Sequence, residues 1–345
     1  MQATVEKMIA GEETDIEAPV LDANAPLYSL EREGGAGALL AAAAGDVAGG
    51  VVPDTYGANT QFGTVFAYHL MRNGGVDRDA LQAEVLLLDG VGESHRTYRG
   101  ESHDLRQWMD SAAAGTPAAS TVESAGPSAR SIAAGLRFRD QPDDLVDATL
   151  RASRLTNLNA VSTVMAVATA GAVAASTYHQ IGADLFAGVA ETADRALSAL
   201  EGEEFRFSDM EGARRLPDRI RLLSRLVGES LRTIVGSLSL DNGPVGIDAA
   251  LLGLALGGDM SHDPVKLIGT AAQAGGSDVA IITGAIVGAR NSTRRWPWRV
   301  PNDTWFAEIG KRLVQKQTET RDLPIPYAVE ERVVLNIGAG PSIDG

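Results

Sequence analysis

Cysteine is absent from the 345 residues. That removes disulfides and thiolate metal sites, and it suits a cytoplasmic setting. Lysine is nearly absent too: Lys7, Lys266, Lys311 and Lys316 are the only four, and arginine supplies the rest of the basic charge. Acidic residues outnumber basic ones 45 to 30, giving a formal charge of −15. Such a balance excludes a general binder of nucleic-acid phosphates, whose affinity comes from Lys and Arg. The N-terminal "MQATVEKMIAGEETDIEAP" lacks a basic n-region and an apolar run, so it does not read as a signal peptide. Between Leu155 and Ala183 there is no Asp, Glu, Lys or Arg. That stretch is rich in Ala and Val and carries Asn157, Asn159, Thr169 and Gln180, which predicts a buried core helix and not a membrane span. No pair among His69, His95, His103, His179 and His262 has metal-ligand spacing.

What is present is helical periodicity. Hydrophobic residues make up 44% of the chain, and they recur at i, i+3 and i+4 nearly everywhere. The pattern predicts helices over 35–49, 58–73, 78–88, 103–113, 128–137, 142–153, 158–177, 180–200, 216–237, 245–257, 263–273, 278–290 and 302–317. Only "YAVEERVVLNI" (327–337) reads as a strand. Residues 1–33 form an acidic arm, 34–320 one all-α domain, and 321–345 a tail. The segment "AGTPAASTVESAGP" (114–127) is a small-residue loop of the length that often carries function.

Helices rich in Ala and Gly pack closely, which leaves a site to be built from helix starts and the loops before them. Free N–H groups and the positive end of the dipole favour anions at such starts. Three stretches fit: "GALLAAAAGDVAGGVVPDTYGANTQFG" (37–63), "ESAGPSARSIAAGLRF" (123–138) and "AAQAGGSDVAIITGAIVGAR" (271–290). The Gly275-Gly276 pair in the last means that something lies close to the backbone there: a metal ion, an anion or another helix. Taken alone, Asp46 and Asp278 are ordinary helix-end residues or caps, and Asp54 a turn residue.

In this order and spacing the three stretches resemble the ADP-ribosylglycohydrolase family. Gly37, Ala38, Leu39, Leu40, Gly45, Asp46 and Gly49 match its first helix. Ser128, Ala129, Arg130, Gly135 and Leu136 match its middle motif, and Ile282, Gly284, Ala285, Gly288 and Ala289 its last. The resemblance implies a compact multi-helix orthogonal bundle and cleavage of ADP-ribose from modified acceptors. It also implies two magnesium ions between a T-D-D-T run and a D-[ST]-D-[ST] run. Here those positions read Gly57-Ala58-Asn59-Thr60 and Gly275-Gly276-Ser277-Asp278, and the Thr-His pair reads Thr156-Asn157. The expected metal ligands are thus largely neutral, and no cofactor is expected.

The resulting expectation is a cleft with Asp54 and Asp278 as catalytic candidates. Asn59, Thr60, Ser128, Asn157, Gly275, Gly276 and Ser277 would contact ligand, with Asp46 in support. Without metal, the helix starts should make the pocket locally electropositive. Its ligand would be a polar or anionic small molecule, or an ADP-ribosylated protein, with no role for nucleic acid or membrane. Two functions stay open: a repurposed hydrolase without the magnesium pair, or a non-catalytic relative with a structural, regulatory or assembly role, for which a homo-oligomer is compatible.

Overall fold

The computed structural model describes residues 27–50, 54–89, 98–100, 103–203, 206–240, 243–291 and 296–338. Among these the chain is helical, with two isolated β-bridges, Ser120 to Asn157 and Asn159 to Ser208, and no sheet. The all-α expectation holds. Most of the acidic arm, and also His95, lie outside the described residues.

Helix α1 (Leu27–Gly49) starts before residue 34 and runs antiparallel to α14 (Pro264–Asn291). Small residues fill this seam because the backbones nearly touch. A Cβ on Gly45 would lie 2.2 Å from the Ala280 carbonyl oxygen, one on Gly284 2.3 Å from that of Ala41, and one on Gly288 2.2 Å from that of Gly37. At the end of the seam, a Cβ on Gly49 would lie 2.6 Å from the carbonyl carbon of Gly276. What sits close to the Gly-Gly pair is therefore another helix. Gly276 has φ 70°, a left-handed turn suited to glycine, and it breaks α14 into two arms.

Around this pair lie α2 (Ala58–Asn73), α3 (Arg78–Asp89), α4 (His103–Ala113) and the short α5 (Gly126–Arg130) and α6 (Ile132–Arg137). Then come α7 (Pro142–Thr156), α8 (Ala160–Thr177) and α9 (Gly182–Glu201). Helix α8 is long and apolar enough to cross a membrane, but 94% of its apolar window is buried inside the fold. Asn159 caps it by accepting from the Ser162 N–H. It is the central core helix.

The segment 216–237 departs from expectation. It splits into α11 (Leu216–Leu223), a 3₁₀ turn (Ser224–Leu226) and α12 (Leu231–Ser237), after an unexpected α10 (Met210–Arg214). Val227 is extended and Gly228 has φ 81°, which stops the helix between them. Likewise 128–137 is two short helices and not one. Helices α13 (Ile247–Gly257) and α15 (Asp303–Val314) complete the body.

The expected strand is a helix, α16 (Pro326–Gly338). Its β-branched residues suggested a strand, but Val329, Glu330 and Val333 share one buried face at helical spacing. Pro326 starts it at a position where a missing N–H costs nothing. Tertiary packing overrides propensity here.

Candidate functional site

The starts of α2, α4 and the second arm of α14, with the ends of α1 and α5, converge on one polar centre. Asp46, near the end of α1, is 1% exposed. Its Oδ1 accepts from Ser277 Oγ at 2.5 Å and its Oδ2 from the Gly57 N–H at 2.9 Å. One side chain thus ties the first of the family-like stretches to the last. Burial pushes its carboxyl up, against the opposing pull of the Ser277 hydroxyl and the Gly57 N–H.

Asn59 and Asp278 meet across the same gap, Asn59 Nδ2 donating to Asp278 Oδ1 at 2.6 Å. Asn59 Oδ1 in turn accepts from Arg130 Nη1 at 3.2 Å. The Arg130 guanidinium, 4% exposed, pairs with Asp104 and donates to Thr156 Oγ1 at 2.9 Å. It also lies 5.1 Å over the Phe62 ring. Burial pushes the Asp278 carboxyl up to about 6; the Asn59 amide opposes this, while Asp104 and Asp46 add to it.

Positions 275–278 are half-buried and form the rim. The loop 114–127 supplies a wall. Ser120 N donates to Thr156 O at 2.8 Å, Ser124 Oγ to Asp104 Oδ1 at 3.3 Å, and Ser124 N to Ser162 Oγ at 2.8 Å. Asn157 fastens this loop, its amide donating to Val122 O at 3.0 Å. Ser128 is fully buried with an unpartnered hydroxyl. Thr60, close enough to Asp46 to lower its carboxyl, makes no hydrogen bond of ordinary geometry.

The structure thus gathers Asp46, Asn59, Thr60, Ser277 and Asp278, with Gly275 and Gly276 on the rim. It places Asn157 and Ser128 in the supporting wall. Asp54 is exposed with φ 58° and joins none of these bonds. Sequence reasoning missed Asp104, which carries no motif; a buried Arg130 demands a counter-ion, and that was the one signal available.

Two features correct the electrostatic expectation. The donors at the start of α2 are already used, Gly57 N–H by Asp46 and Ala58 N–H by the Arg99 carbonyl at 2.7 Å. The start of α13 is filled likewise, Ile247 N–H donating to Glu123 Oε1 at 2.8 Å. Asp46, Asp104 and Asp278 also share this centre, with Arg130 paired to Asp104 and Arg99 acting on Asp46, so it holds acidic side chains as well as helix starts.

Magnesium pairs need several carboxylate oxygens free to bind. Here Asp46 is held by Ser277 and Gly57, Asp278 by Asn59, and Asp104 by Arg130. Among the described residues no three His, Asp or Glu are grouped to hold a metal ion. These residues do not fit the pair that the resemblance implies. The adjoining hollow is small and apolar, lined by Leu39, Ala42, Gly63, Ile281, Trp305 and Phe306 among others, and reaches Thr60 and Arg130 at one edge.

A sequence profile of ADP-ribosylglycohydrolases matches residues 30–322. A solved structure described as an "ADP-ribosylglycohydrolase-related protein complex" superimposes with a TM-score of 0.56 at 17% identity. The match covers 84% of this chain and 100% of that one, and shares the all-α fold. No curated protein matches.

Proposed function

Because this chain belongs to the ADP-ribosylglycohydrolase family, we propose that it keeps the family cleft as a metal-independent acid–base site. Its substrate would be a polar glycoside: an ADP-ribose-, nucleotide- or related sugar-containing molecule, free or on a protein, in the cytoplasm. The observation that supports this is Asp278, half-buried at the rim, held by Asn59 and flanked by the charges of Asp46 and Asp104. A carboxyl that titrates near 6 can hold a proton in place and release it close to neutral pH.

Asp278 would give its proton to the leaving oxygen as the glycosidic C–O bond breaks, and water would add to the anomeric carbon, its proton returning to the Asp278 carboxylate. The Asp46 carboxyl would lie against the oxocarbenium-like charge that develops. Asp46 replaces Asp54 in this role because Asp54 stands outside the network.

A second reading, a non-catalytic relative, is favoured by one observation: the polar groups of the centre mostly bond one another. Release of ADP-ribose from ADP-ribosylated peptide, measured in EDTA, separates the two. Turnover that survives EDTA and falls about 100-fold or more in Asp278→Asn supports the acid role. No turnover, with no heat of binding for ADP-ribose, nucleotide or sugar phosphate, leaves the non-catalytic scaffold.

A further inference from the structure

Glu330 is a carboxylate with 0% exposure on α16, a helix that begins beyond residue 322, where the family match ends. Its Oε1 accepts from Tyr56 Oη at 2.7 Å. Its Oε2 accepts from Gln61 Nε2 and from Arg99 Nη2, both at 2.9 Å. Tyr56 and Gln61 bracket the turn Gly57–Thr60, which supplies Asn59 and the N–H that holds Asp46.

Arg99 closes the frame. Its N–H donates to Gln61 Oε1 at 2.9 Å and its Nε to the Tyr56 carbonyl at 3.0 Å. Its own carbonyl accepts the Ala58 N–H, and its guanidinium lies 5.1 Å over the Tyr56 ring. Four side-chain and four main-chain groups thus form a closed circuit around the turn, and Glu330 is the only member from outside the matched region. Asn302 and Trp305 fasten the same C-terminal segment by donating to Val329 O and Pro324 O.

We propose that Glu330 is a positioning residue for the candidate site: α16 is a strap that fixes the 57–60 turn, and through it Asn59 and Asp46. The role in positioning a reacting centre rests on the reading that the cleft binds a glycoside; the strap itself is testable without any ligand. A carboxylate suits the place because all three partners donate. An amide would set its own N–H₂ against a donor, since only one of its atoms accepts.

The test is amide hydrogen exchange on the full-length protein, comparing wild type with Glu330→Gln and with Tyr56→Phe, which removes a single donor. The expected result is exchange at Gly57–Thr60 and Arg99 about tenfold faster in Glu330→Gln, less so in Tyr56→Phe, with α8 amides unchanged. Equal acceleration at 57–60 and in α8 would make Glu330 a general stability residue and overturn the proposal; so would no change at 57–60. If Glu330→Gln does not fold, Tyr56→Phe is judged by the same contrast. Absence of glycoside turnover in wild type would sink the functional reading while leaving this exchange pattern intact.

Discussion

Asp278 and Arg130 carry opposite charges into one small volume, and removing either charge has opposite consequences. The folded state raises the Asp278 pKa from 3.8 to about 6, so folding takes up a proton there. Its contribution to stability is therefore full below pH 4 and is lost as pH rises through 6. Asp278→Asn keeps the acceptor for Asn59 and removes the buried charge. We expect it to be more stable than wild type by about 1–3 kcal/mol at pH 7.5 and equal at pH 3.5, as read by urea melts at the two pH values. A gap that does not change with pH would contradict the assigned cause. Arg130→Met, by contrast, strands Asp104 without its cation and should cost about 3–5 kcal/mol in the same melts. Asp104→Leu added to it should recover part of that loss, because Asp104 no longer stands buried without its cation.

At the scale of elements, the glycines divide into those that a neighbour requires and those that none does. Gly45→Ala must push α1 off the Ala280 carbonyl and should destabilise by about 1–3 kcal/mol. Gly63 lies inside α2 with nothing within 4 Å of where its Cβ would be. Gly63→Ala should therefore stabilise by about 0.5–1 kcal/mol, the ordinary helix-propensity gain. Thermal melts of both variants check the contrast. The helices themselves were legible because apolar residues keep a 3.6 period over long runs, as in 58–73 and 142–153. Segment 327–337 was misread because Val329, Val333 and Val334 satisfy a short strand pattern equally well. Only the neighbours that bury Glu330 decide between the two, and no local pattern contains them.

Over the whole molecule, the fold was more readable than the site. Asp46, Asn59, Ser277 and Asp278 were found because they sit at recognisable motif positions. Asp104, Arg99 and Glu330 were not, since their importance comes from partners 26 to 274 residues away. The start of α2 was read as empty for the same reason, when the chain supplies its own Asp46 carboxyl and Arg99 carbonyl to fill it. A ligand at 100 times its Kd stabilises by about 2.7 kcal/mol. With the carboxylates engaged, millimolar magnesium should leave the melting temperature unchanged, and a rise of several degrees that Asp278→Asn abolishes would reverse the donor-set argument.

The seam between α1 and α14 has a mechanical consequence. Where carbonyls press on glycine Cα atoms there are no side chains to rotate, so the two rods can neither slide nor breathe in small steps. Asp46 and Ser277 stand at the end of this rigid splint, and their 2.5 Å contact has almost no play. Any opening of the cleft must therefore come from elements other than this seam.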